Sequence, residues 1–268
     1  MKVGVIGMGS QGLRLAGILE QQEQEVVHFD VVKREGVHNA ADVWRHKVDA
    51  VVIASPAETH VEHLRRAIWH DIRAIFIEKP LADRLTPELT TLVEKTKAWP
   101  CQLGYNLRFD PRVAALRDRV QNDRPRFGWY HTASDFQTWP GLSYGSALLE
   151  CSHEIDAALW MLGRGTCAGA VSCGHDVFDL TIRHECGANS HIHMNYASNV
   201  YHRTHQVLMD NGDIDEIDLS VPAVSMYADE IAHWLHAVNA GTPTDVPLRA
   251  GLDTLQIIEE ARCLASLV

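Results

Sequence analysis

Lys2-Val3-Gly4-Val5-Ile6-Gly7-Met8-Gly9-Ser10-Gln11-Gly12 decides the fold. Its first five residues read as a short, continuously apolar strand, as in a parallel sheet covered on both faces. A G-x-G-x-x-G turn follows at once, and residues Gly12–Gln21 carry helical periodicity. Strand, glycine turn and helix in that order are the context a dinucleotide-binding turn requires. Gly7 permits the tight turn, Gly9 lets backbone approach a pyrophosphate, and Gly12 allows helix to pack on strand. The N–H groups at Ser10 and Gln11 open the helix and favour an anion.

Working outward, the same rhythm repeats. Strands are expected at Glu25–Phe29, Ala50–Ala54 and Ala74–Ile77. Helices are expected around Val61, Leu64 and Ile68, and from Thr86-Pro87-Glu88, where a capping hydroxyl, a first-turn proline and an early carboxylate coincide. Alternation of this kind predicts a doubly wound parallel α/β sheet.

Past Asn106 the pattern changes. Helices are expected at Arg112–Gln121 and Ala147–Leu162, a strand at Phe127–Asp135, and strands and turns from Ala168 to Leu219. Asp210-Asn211-Gly212-Asp213 marks a hairpin. Helices at Ala228–Ala240 and Leu252–Leu267 close the chain. The expected organisation is thus a Rossmann domain over residues 1–106 and an α+β domain with an open, mainly antiparallel sheet over 107–268, its last helix free to pack back on the first domain.

Composition narrows the function. The 268 residues carry 24 Lys plus Arg against 35 Asp plus Glu, a formal net charge of −11. That balance argues against a nucleic-acid surface and against an anionic membrane partner. The apolar runs are too short to span a bilayer. A strand directly after Met1 leaves no room for a secretory signal, so a cytoplasmic protein is expected. The six cysteines form no C-x-x-C pair and read as free thiols. Sixteen histidines raise the question of a metal, but no H-E-x-x-H accompanies them, and no metal site is expected.

Two further positions carry chemistry. Asp30 ends the second strand, eighteen residues after Gly12, where a carboxylate accepts from both hydroxyls of an adenosine ribose. It would repel a 2′-phosphate, which favours NAD. Lys33-Arg34 just downstream would neutralise such a phosphate if the loop folds inward, so NADP stays open. Glu78-Lys79-Pro80 follows the fourth expected strand, at the carboxyl edge where doubly wound sheets place ligands. A lysine there can stabilise developing alkoxide charge.

Taken together, Gly7-x-Gly9-x-x-Gly12, Ser55-Pro56 with His60, and Glu78-Lys79-Pro80 resemble the Gfo/Idh/MocA family of NAD(P)-dependent oxidoreductases. The likeness continues through Gly104-Tyr105-Asn106-Leu107-Arg108-Phe109-Asp110-Pro111, Leu148-Leu149-Glu150-Cys151-Ser152-His153-Glu154-Ile155-Asp156 and Gly251-Leu252-Asp253-Thr254-Leu255. The resemblance implies a catalytic lysine at Lys79, a catalytic histidine at His153 and a carboxylate at Asp156. It implies Ser55, Pro56, His60 and Glu78 at the cofactor, Tyr105, Asn106 and Arg108 at cofactor or substrate, and an open sheet that forms a homodimer or homotetramer. Core packing is the alternative for Tyr105. Many relatives carry an aspartate four residues before the histidine. Here that position is Leu149, and Glu150, three residues before His153, is the candidate substitute. Trp139-Pro140-Gly141 and Tyr144 resemble members acting on nucleotide-linked or surface sugars, which makes Trp139 and Tyr144 substrate candidates. The implied activity is hydride transfer between a nicotinamide and a secondary hydroxyl of a sugar, sugar nucleotide or cyclitol. A non-catalytic NAD-binding regulator and an imine or enone reductase are the alternatives.

Overall fold

The computed structural model describes residues 1–32, 35–135, 147–150, 152–174 and 176–265. In chain order the first elements are β1 (Lys2–Ile6), α1 (Ser10–Gln21), β2 (Glu25–Asp30), β3 (His38–Asn39), β4 (Ala50–Ile53), α2 (His60–Trp69), β5 (Ala74–Glu78), α3 (Pro87–Thr96) and β6 (Cys101–Gly104). Their strands form one parallel sheet in the order β3-β2-β1-β4-β5-β6. This is the doubly wound order in which the chain reverses direction between β1 and β4, and ligands bind at the carboxyl ends beside that point. β4 and β5 are buried at every position, as their unbroken Val/Ile/Phe runs require. Thr86 caps α3 by accepting from the Leu89 N–H at 3.1 Å, as its sequence context predicts.

The chain continues through α4 (Pro111–Asn122), β7 (Pro125–Asp135), α5 (Ala147–Glu150), α6 (Ser152–Leu162), β8 (Gly165–Cys173), β9 (Val177–His184), β10 (Asn189–Asn195), β11 (Ala197–Met209) and β12 (Ile214–Asp218). These strands form a second sheet in the order β12-β11-β7-β10-β9-β8, antiparallel except for the parallel β10–β7 pair. One face buries Tyr130, Leu180, Ile192 and Val207 beneath α5 and α6. The other stays open and carries Trp129, 37% exposed, beside the packed rings of His131, His193 and His202. The Asp210–Asp213 signal is the β11–β12 turn, with Gly212 at φ 92° and Met209 N–H donating to the Asp213 carbonyl at 2.9 Å.

Two helices remain, α7 (Met226–Ala240) and α8 (Leu248–Ala265). The chain divides into two compact units: Met1–Asn106 with Ser225–Leu252, and Leu107–Val224 with the residues from Asp253 onward. The segment Ser225–Leu252 therefore departs from the expected 107–268 domain and folds with the first unit. The reason is the apolar stripe of α7, whose Ile231, Trp234 and Leu235 join Val3, Leu15, Leu19 and Phe76 in one core. The closing helix likewise starts in the first unit, and from Asp253 it belongs to the second. No helix among the described residues is long and apolar enough to cross a membrane.

Candidate active site

Gly7 sits at φ 91°, and a Cβ there would lie 2.6 Å from the Ser55 backbone. Only glycine holds that turn. A Cβ on Gly12 would lie 1.8 Å from the Gly7 carbonyl oxygen, so α1 packs against the turn at a distance no side chain allows. At Gly9 the situation is opposite: its backbone is extended (φ −74°) and a Cβ would meet no atom within 4 Å. Gly9 thus keeps clear a space that none of the described residues fills. It is also the N-cap of α1, with no capping side chain and no acidic residue in the first turn, so the helix start offers its amides outward. Ser10 is exposed there, and Gln11 accepts from the Arg14 guanidinium at 2.7 Å. These features fit a diphosphate, which needs N–H donors and close backbone approach.

Asp30 closes the same loop from the next strand. Its carboxylate accepts from the Met8 N–H at 2.7 Å and from the Val32 N–H at 2.9 Å. A carboxylate has about four acceptor sites, so ribose hydroxyls can add to these bonds. Lys33 and Arg34 lie outside the described residues.

Between β4 and β5 the organiser is His60, the first residue of α2. Its buried ring sets Nε2 at 2.7 Å from the Ser55 carbonyl oxygen and Nδ1 at 3.0 Å from that of Pro80. Burial lowers its pKa, and the two carbonyls oppose that. The imidazole thus lies between the Ser55-Pro56 loop and the turn after β5, and in its neutral form it donates to one of the two carbonyls. Ser55 Oγ in turn pairs with Thr59 Oγ1 at 2.7 Å.

At the end of β5, Glu78 is buried and accepts the Lys79 N–H on Oε2 at 3.0 Å. Burial pushes its pKa up to about 7, against the pull of the Lys79 charge. Lys79 is half-buried, and the bond to Pro80 is cis. Tyr105 is 1% exposed, and Asn106 is buried as well.

In the second unit, His153 and Asp156 both lie on α6 and are buried. Arg108 holds Asp156 through both oxygens, Nε to Oδ2 at 2.9 Å and Nη2 to Oδ1 at 2.6 Å. Burial raises the Asp156 pKa while Arg108 opposes it. The guanidiniums of Arg108 and Arg117 lie over the Trp160 ring, 5.1 and 4.5 Å from its centroid. In this arrangement Arg108 and Asp156 anchor each other. Glu150 is buried at the end of α5; Cys151, which joins it to α6, lies outside the described residues, as do Trp139 and Tyr144.

Within the first unit, then, the glycine turn, Asp30, Ser55 and Lys79 stand at the carboxyl ends of β1, β2, β4 and β5, one edge of one parallel sheet. Residues 1–106 match the model of an oxidoreductase family, GFO_IDH_MocA, described by its NAD-binding Rossmann fold. Over these residues the chain is similar to this family.

Among curated proteins, scyllo-inositol 2-dehydrogenase (NAD(+)) of Bacillus subtilis is 32% identical over 126 residues, 43% of this chain and 36% of that protein. Inositol 2-dehydrogenase 2 of Saccharopolyspora erythraea is 29% identical over 168 residues, 61% of this chain and 47% of its own length. The matched stretch is therefore under half of either relative. Among solved structures, apo scyllo-inositol dehydrogenase from Lactobacillus casei superposes with a TM-score of 0.86 at 15% identity, covering 100% of this chain and 96% of that one. UDP-N-acetylglucosamine 3-dehydrogenase from Acidithiobacillus ferrooxidans gives 0.83 at 18% identity, covering 100% and 98%. At such identities the likeness is one of fold.

Sequence reading missed Glu230, a fully buried carboxyl on α7. The available signal was an acid standing in the apolar stripe, one helical turn before Trp234.

Proposed function

We propose that this protein is an NAD-dependent dehydrogenase acting on a secondary hydroxyl of a sugar, sugar nucleotide or cyclitol, working as a cytoplasmic homodimer or homotetramer. One observation carries the reading: the glycine turn, Asp30 and Lys79 stand on the same edge of a parallel sheet. Relatives named inositol 2-dehydrogenase support the substrate class. When bound, the nicotinamide supplies hydride chemistry. Gly7–Gly12 and the start of α1 hold the diphosphate, and Asp30 takes the ribose hydroxyls and disfavours a 2′-phosphate. Lys79 donates to the substrate oxygen and stabilises its negative charge. His153 takes the hydroxyl proton as general base.

The test is steady-state nicotinamide reduction over a panel of inositols, sugars and sugar nucleotides. Lys79→Ala and His153→Ala are each expected to lower kcat by about 10²-fold or more while NAD still binds. NAD binding without turnover anywhere on the panel would leave the regulator reading. Near-normal turnover in either variant would remove the assigned roles.

A further inference from the structure

Glu230 is 0% exposed, and neither carboxyl oxygen has a hydrogen-bond partner among the described residues. Packing shows what it faces. On α7, Trp234 donates its indole N–H to the Pro100 carbonyl at 3.0 Å, and its ring meets Phe76 edge-on with centroids 5.7 Å apart. One turn earlier, the Glu230 carbonyl accepts from the Gln102 side chain at 3.0 Å. Moving from Trp234 back to Glu230 is thus moving from Pro100 forward to Gln102. On neighbouring β5, paired with β6 as Phe76 to Gln102 and Glu78 to Gly104, the same direction leads from Phe76 to Glu78. Four helical residues span about 6 Å and two strand residues about 7 Å. Trp234 over Phe76 therefore brings Glu230 over Glu78. The Glu78 carboxyl lies on that side, because a Cβ on Gly104 would sit 3.2 Å from its Oε2.

Each element around the pair contributes identifiable groups. From β5 come Glu78 and Lys79. From α1 comes Arg14, 4.5 Å from the Tyr227 ring of α7 and close enough to act on the Glu78 charge. From β6 comes Gln102, whose Oε1 meets His233 Nδ1 at 2.9 Å, with His233 Nε2 3.2 Å from Asp245. A buried ionised carboxylate with no donor is costly. Two carboxyls close enough to feel each other's charge relieve that cost by keeping one proton between them. Burial and the Glu78 charge both push Glu230 toward its neutral form.

We propose that Glu230 is a positioning residue that acts through Glu78: its O–H donates to the Glu78 carboxylate, and the single negative charge left on the couple fixes the Lys79 ammonium at the end of β5. The catalytic consequence rests on the function proposed for Lys79; the shared proton does not. Loss of that proton doubles the charge beneath Lys79, and gain of a second removes it, so the couple sets the pH range over which Lys79 is held.

The test has two independent arms. Infrared difference spectra with carbon-13-labelled glutamate, taken at pH 8 on the wild-type chain, are expected to show the stretch of a neutral carboxylic acid. Glu230→Gln, whose amide still donates to Glu78, is expected to lack it. Absence of the band in the wild type, or its survival in Glu230→Gln, overturns the shared proton whether or not a substrate is known. In turnover, Glu230→Gln is expected to move the acid limb of kcat/KM down by about one pH unit, a tenfold change in proton affinity. Glu230→Leu, which removes the donor, is expected to move it up. An acid limb unmoved in both variants overturns the positioning role, and NAD affinity measured alongside reports separately on the dinucleotide site.

Discussion

Arg108 and Asp156 form a two-bond ion pair whose side chains are 10% and 4% exposed. Buried pairs of this kind contribute little net stability when intact, but losing one partner strands the other. Asp156→Ala is expected to lower unfolding stability by about 3–5 kcal/mol. Arg108→Ala should cost at least as much, because it also removes one of the two guanidiniums over Trp160. Replacing both together, Arg108→Met with Asp156→Leu, should recover most of the loss in urea unfolding. Additive losses would show that the pair is not coupled.

The glycines separate stability from binding. Gly12→Ala drives a methyl into the Gly7 carbonyl and should prevent folding or lower Tm sharply. Gly9→Ala meets nothing among the described residues and suits the extended backbone there. It should melt like the wild type yet raise the NAD Kd about tenfold or more, as measured by calorimetry, because the methyl enters the space needed by the diphosphate. Unchanged NAD affinity would place the dinucleotide elsewhere.

His205 is fully buried, meets Tyr130 edge-on at 4.9 Å between centroids, and has no hydrogen-bond partner for either nitrogen among the described residues. Burial lowers its pKa to about 3, with the Arg203 charge acting in the same direction. The folded state therefore refuses a proton that the unfolded chain accepts near 6.5, and stability is lost as pH falls from about 6.5 toward 3. His205→Phe keeps the ring contact and removes the unsatisfied nitrogens. It should add about 1 kcal/mol or more at neutral pH, raise Tm by about 2–4 °C, and flatten the acid limb of the melting profile. A lower Tm at pH 5 would refute this.

The neutral His60 ring lies between the Ser55 and Pro80 carbonyls and donates its one N–H to one of them. His60→Ala should cost about 1–3 kcal/mol and weaken NAD binding by loosening the loops after β4 and β5. Thermal melts and NAD titration would check both effects; a change in neither would mean that the loops hold themselves.

How much of this was legible beforehand follows from what a sequence encodes locally. β1, its glycine turn and α1 announce themselves because strand period, φ requirement and helix start all fall within twenty residues. β3 escaped notice because His38–Asn39 is two exposed polar residues. β6 escaped because Cys-Gln-Leu-Gly has no β-branched residue, although all four positions are buried. The parallel pairing of β10 with β7 depends on a register between strands more than fifty residues apart, which no local pattern carries. Among the site residues, Gly7, Gly12 and Asp30 could be read because backbone geometry dictates them. The contact of His60 with the Pro80 carbonyl, the Arg108–Asp156 pair and the burial of Glu230 each needed partners 20 to 152 residues away, and only the folded chain supplies those.

The return of Ser225–Leu252 to the first unit bears on any attempt to divide the molecule. The chain leaves that unit after Asn106, re-enters at Ser225 and departs again inside α8. Expression of residues 1–106 alone would strip Ile231, Trp234 and Leu235 from the sheet and leave a greasy scar where α7 had been. A usable half-molecule calls for splicing: the first segment joined by a short linker to the α7 stretch.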